Sequence, residues 1–99
     1  MTLPVIVITG NKTLDGTHAN MILDVTAAAA ITVPKATTYD FTNGDVIEVT
    51  RDTASAVTFV AASGVTIKSK GGSLAISVQN GKAVLEKLAT DVWLLSGSI

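Results

Sequence analysis

Cysteine is absent from the 99-residue chain, so disulfides and thiolate metal sites are excluded and a stable core must rest on packing alone. Charge is scarce. Seven basic and eight acidic residues make up 15% of the sequence and leave a net charge of −1, where soluble domains carry about 25% charged residues. That balance argues against an electrostatic nucleic-acid binder, which concentrates Lys and Arg on a face or stripe. With 47% of residues apolar, it predicts a surface covered in part by another protein molecule. No apolar run approaches the roughly 20 residues of a membrane-spanning helix. The first residues lack the basic and long apolar segments of a secretory signal, because Pro4 interrupts the only candidate run. Neither a membrane partner nor signal-directed export is expected.

Reactive constellations are equally thin. His18 is the single histidine, with Asp15 and Asp24 as its nearest carboxylates in sequence. One imidazole and no thiol make a poor ligand set, so His18 is expected to be an ordinary loop residue unless three copies meet on a three-fold axis. Gly71-Gly72 beside Lys68 and Lys70 lacks the strand, spaced glycines and Lys-Ser/Thr of a phosphate-binding loop. The serines occur in no nucleophile elbow. Four aromatics, one Trp, one Tyr and two Phe, are too few for a stacking platform, and Trp93 is expected in a core or an interface. These absences predict a protein that is not an enzyme and uses no cofactor and no metal.

What the chain does contain is β patterning. Gly44 to Ser69 reads as three short strands, Val46 to Arg51, Ala56 to Ala61 and Val65 to Lys68, each ended by turn-forming residues. Val57 and Phe59, then Val65 and Ile67, alternate with polar residues at the period of two that sends one row of side chains into a core. Leu3 to Thr9 is a nearly continuous β-branched strand with Pro4 at its start. Asp15-Gly16 suggests a tight hairpin into Met21 to Thr26, whose apolar residues also alternate. Ala27 to Ala30 is too short a run to nucleate a helix and leads into Ile31 to Val33. Tyr39 and Phe41 lie in a loop expected to cap one end of the core. Leu74 to Val78 and Ala83 to Leu88 read as strands joined by an Asn80-Gly81 hairpin, and Val92 to Ser96 holds Trp93. The sum is an all-β chain of eight or nine short antiparallel strands, a compact β sandwich or jelly roll, with no fixed-period repeat. Residues 1–10 form an N-terminal strand or arm and 11–99 a single domain.

Several of these residues occur in an order that resembles a known group. Pro34, Phe41-x-x-Gly44 leading to Ile47-x-Val49, Val57-Thr58-Phe59, Gly64-Val65-Thr66-Ile67-x-Ser69, Lys87 and Trp93-x-Leu95-x-Gly97 look like a small β domain of tailed bacteriophages. That domain occurs in capsid decoration (cement) proteins and near the ends of head-fibre and tail-fibre proteins. The resemblance spans residues 13 to 99 and departs at Asp52 to Ser55, where relatives often carry a glycine-rich turn. It implies a compact sandwich, commonly a homotrimer, with a structural role and no catalytic residues. The expected function is a decoration protein on the exterior of the virion head, bound to the major capsid protein and to itself, and present in host cytoplasm during assembly. The alternative is a fibre-tip module that binds a host receptor. Val46-Ile47, Val84-Leu85 and Trp93-Leu94-Leu95 place apolar residues on both faces of a strand, which also predicts self-association. The expected interface residues are Val5, Ile6, Val7 and Ile8 of the N-terminal segment with Tyr39, Phe41, Trp93 and Leu94. The N-terminal four are expected to add a strand to a neighbouring molecule, or else to pair within their own domain.

Overall fold

Alternating apolar residues build nine short strands in the computed structural model, which describes residues 3–99. They are β1 (Val5–Ile8), β2 (Lys12–Thr13), β3 (Met21–Val25), β4 (Ala29–Val33), β5 (Val46–Arg51), β6 (Val57–Ala61), β7 (Thr66–Ser69), β8 (Lys82–Ala89) and β9 (Val92–Gly97). A six-stranded sheet has the order β1-β3-β5-β8-β9-β7, and a three-stranded sheet the order β2-β4-β6. The first six strands alternate between the two. β1, β3 and β5 stack in parallel in the large sheet while β2, β4 and β6 stack in parallel in the small one. The chain therefore makes three successive parallel coils, each crossing from the large sheet to the small one and back. β7 then runs to the far edge beside β9, and the antiparallel β8–β9 hairpin joins β9 to β5.

The two inner faces feed one core. Leu23, Val49 and Ala83 lie in one row of the large sheet, Ile47, Leu85 and Leu95 in the next, and all are buried against Ile31, Val33, Val57 and Phe59 of the small sheet. The row containing Leu23 loses volume strand by strand and ends at Gly97, opposite Ala83. Gly97 has φ of 109°, and a Cβ there would run into the Lys82 carbonyl oxygen and come 3.1 Å from Ala83 Cα.

The chain is thus compact and mostly β, but it is not the antiparallel jelly roll that the pattern suggested. Only the β5–β8 and β8–β9 ladders are antiparallel. Parallel neighbours cannot be joined by a tight turn, and each coil makes the required crossover by passing through the other sheet. Three local expectations change with it. Asp15-Gly16 opens a 3-10 turn, Gly16–His18, instead of a hairpin. Leu74 to Val78 contributes one bridge, Ala75 to Thr58, instead of a strand. Asn80, with φ of 64°, turns the chain into β8; the hairpin turn proper is at Thr90-Asp91, where Asp91 has φ of 57°.

Candidate functional site

The aromatic loop folds onto one end of the core, and its aromatics are held there. Phe41 packs edge-to-face on Trp93, ring centroids 5.1 Å apart, and Tyr39 packs in the same way on Phe41 at 4.6 Å. Phe41 is 3% exposed and Trp93 1%, while Tyr39 is 38% exposed and lies across Gly16, where a Cβ would come within 2.6 Å of its hydroxyl. The anchor is Lys87. Ala83, Leu85 and Lys87 share the inward side of β8, and the lysine, 4% exposed, donates from Nζ to Asp40 Oδ1 at 3.1 Å and to the Phe41 carbonyl. Its backbone fastens the loop's exit, with Gly44 N–H donating to Lys87 O at 2.8 Å and Lys87 N–H to Asp45 O at 3.0 Å. Asp91 Oδ1 accepts from Ala36 N–H at 2.7 Å at the loop's entry. A buried ammonium is costly to disrupt once paired, because removing a partner leaves a buried polar group unsatisfied. It acts as a clamp.

His18 is likewise consumed by structure. Its Nδ1 accepts from Asp15 N–H at 3.0 Å, while the Asp15 carboxylate accepts from Thr17 N–H at 2.9 Å and Thr17 Oγ1 at 2.6 Å. Together they form a reciprocal cap on the 3-10 turn. The Thr17 hydroxyl and then the Thr17 amide hold the Asp15 carboxyl below its ordinary range. Arg51 donates to the carbonyls of Ser55, Ile76 and Ala54 at 2.9, 3.0 and 2.7 Å, tying the 52–55 tip to the segment that flanks β6. Beside it, Asp24 is pushed above the usual carboxylate range, first by desolvation and then by the hydrogen bond and charge of Asp52. Among the described residues, no three His, Asp or Glu side chains converge and no cleft opens.

The remaining feature is the outer face of the large sheet. Its rows run Val5, Ile22, Glu48, Val84, Ser96 and, beside that, Val46, Glu86, Leu94, Lys68. Val5 and Val7, 61% and 57% exposed, stand at its edge. Ile22, Val46, Val84 and Leu94 are half-buried on the same face, and the Glu48–Lys82 ion pair, 2.9 Å long, lies among them.

The eight expected interface residues therefore fall in three places. Val5, Val7 and Leu94 face outward on the large sheet and Tyr39 is open at the aromatic end, whereas Ile8, Phe41 and Trp93 fill the core and are not presented. Ile6 faces inward and is half-buried, since among the described residues no further strand covers the first coil. β1 pairs in parallel with β3 of its own domain, from Val5 opposite Ile22 to Ile8 opposite Val25. Lys87 was singled out only as part of the resemblance; the alternation Ala83, Leu85, Lys87 marks it as inward-facing. Compared with protein-family profiles, with curated proteins and with solved structures, the chain gives no match in any of the three.

Proposed function

We propose that this chain is a structural domain of a tailed-bacteriophage virion: a decoration protein that self-associates as a homotrimer and binds the major capsid protein on the exterior of the head, after assembly in host cytoplasm. The observation that carries this reading is the outer face of the large sheet, where half-buried Ile22, Val46, Val84 and Leu94 alternate with Glu48 and Glu86 on a chain whose His18, Arg51 and Lys87 are committed to internal bonds. The two sheets act as a small sandwich-like slab. Apolar area buried between subunits and against the lattice would oppose expansion of the shell. The fibre-tip alternative calls for aromatics displayed at one end, and two of the three candidates, Phe41 and Trp93, are in the core.

Cryo-electron microscopy of virions tests the assignment. Density for this domain capping the outer head lattice is expected, and density confined to fibre ends overturns it. In a binding assay with isolated heads, Leu94→Lys is expected to weaken attachment by about tenfold or more, the size of an interface anchor.

A further inference from the structure

The two sheets have four outer strands, and three of them are closed to further pairing. β6 is covered by the segment that follows β7, since Phe59 N–H donates to Leu74 O at 2.7 Å and Ile76 N–H to Val57 O at 3.1 Å. β2 is two residues long and carries Lys12. β7 carries Lys68, is followed by Lys70, and bends away through Gly71 and Gly72, with φ of 63° and 75°. Short length, lysine and local bending are the usual protections of a sheet edge. β1, four residues long, has neither lysine nor bend, and among the described residues nothing pairs with its outer side.

The polarity of that edge follows from its hydrogen bonds. Pro4 O accepts from Ile22 N–H and Ile8 O from Thr26 N–H, both at 2.9 Å, so the even-numbered residues of this segment turn their backbone groups toward β3. Val5 and Val7 therefore point N–H and C=O groups away from the sheet. Proline often defends an edge by removing a donor. Here the missing N–H of Pro4 lies on the β3 side, and the free edge loses nothing.

We infer that this edge pairs with the β1 edge of a second copy of the chain, antiparallel about a two-fold axis through Ile6. In that register Val5 lies opposite Val7 of the second copy and Val7 opposite Val5, each pair exchanging both of its outward N–H···O bonds. The valine side chains meet on the outer face, and Ile6 meets Ile6 on the inner face, closing the half-open first coil of both cores. A second copy is the occupant because every cross-strand pair is then apolar against apolar, with no charge to desolvate. The contact goes beyond the homotrimer, which would use the face of the sheet and not its edge. An edge of this length buries less than about 1,200 Å², which places it among weak, reversible associations.

Val7→Lys and three single-cysteine variants of the full chain test the register. Val7 is exposed, so Val7→Lys is expected to lower the weight-average mass seen by sedimentation at about 50 μM, a concentration suited to weak association, by up to twofold, with an unchanged circular dichroism spectrum. The non-hydrogen-bonded pair at the two-fold brings Cα atoms to about 4.5 Å, within disulfide reach. Because the chain has no cysteine of its own, Ile6→Cys should give a covalent dimer on mild oxidation, well ahead of Val5→Cys or Val7→Cys alone. The inference is overturned if the unmodified chain is monomeric at that concentration, if Val7→Lys leaves the mass unchanged, or if Val5→Cys links as fast as Ile6→Cys. A monomeric chain would also remove the proposed homotrimer, whereas the Val7→Lys and disulfide outcomes bear on the edge alone and head localisation is tested separately on virions.

Discussion

Gly97→Ala is the single methyl addition that should cost this fold most. The residue ends β9 with φ of 109°, a conformation essentially reserved for glycine, and holding alanine there costs about 1–3 kcal/mol. The added methyl also has nowhere to go, because it meets the Lys82 carbonyl oxygen and lies 3.1 Å from Ala83 Cα. These are backbone atoms of the neighbouring strand, which cannot swing aside as a side chain would. Shifting β8 from β9 to relieve the overlap adds about 1–3 kcal/mol and strains the Ser98 N–H bond to the same carbonyl, 2.9 Å long. The expected destabilisation is roughly 3–5 kcal/mol, a large share of the 5–15 kcal/mol available to a domain. At about 4–8 °C per kcal/mol for a chain of this size, the thermal midpoint should fall by roughly 12–40 °C, measured by circular dichroism or calorimetry. Gly10→Ala is the control, since nothing lies within 4 Å of the added methyl. A Gly97→Ala midpoint within about 3 °C of the parent would refute the steric reasoning.

Lys87→Ala should destabilise the domain by about 3 kcal/mol, by leaving the Phe41 carbonyl without its donor and opening a void beside Trp93; a red shift in the emission of the single tryptophan would report the loosened loop. Asp24 should make stability fall as pH rises from the ordinary 3.8 through its raised value, because the folded state holds that proton more tightly than the unfolded chain does. Asp24→Asn should therefore flatten this acidic limb in pH-dependent melts. Asp15 has the opposite sign. Its lowered carboxyl supports the fold above 3.8 and loses that contribution as pH falls through its folded value, so Asp15→Asn should weaken the acid sensitivity.

The strands were legible because their alternation is local. Val57-Thr58-Phe59 and Trp93-Leu94-Leu95 name their inward residues without reference to any partner, and Trp93 is buried as the alternation requires. Partner and direction were not legible, since a half-buried strand shows the same period whether its neighbour runs parallel or antiparallel. The coils also hid as a repeat because they widen. From a position on the large sheet to the aligned position on the small one takes 7 residues in the first coil, Val5 to Lys12, then 9 from Ile22 to Ile31 and 11 from Glu48 to Phe59. The return takes 10 from Lys12 to Ile22 but 17 from Ile31 to Glu48, the second containing the aromatic loop. Asn80-Gly81 misled for another reason. Its chemistry specifies a backbone that can take positive φ, which the chain uses at Asn80 without making the two flanking segments partners. Among the interface candidates, Val5 and Val7 were readable as uncovered apolar residues, whereas the burial of Phe41 depends on Lys87, 46 residues away.

The alternation of coils between two sheets has a consequence for the order in which a nascent chain can acquire structure. β1 is synthesised first but has nothing to pair with until β3 follows 17 residues later, and β3 must wait another 26 for β5. The β8–β9 hairpin, made last, closes on itself with the shortest loop in the molecule, and short closures are the fast ones. Organisation should therefore run backward along the chain, from the C-terminal hairpin through β5 to β3, with β1 docking at the end. In the monomer its amides should exchange with solvent before those of β3 and β5, because β1 is held by a single ladder and each of those by two.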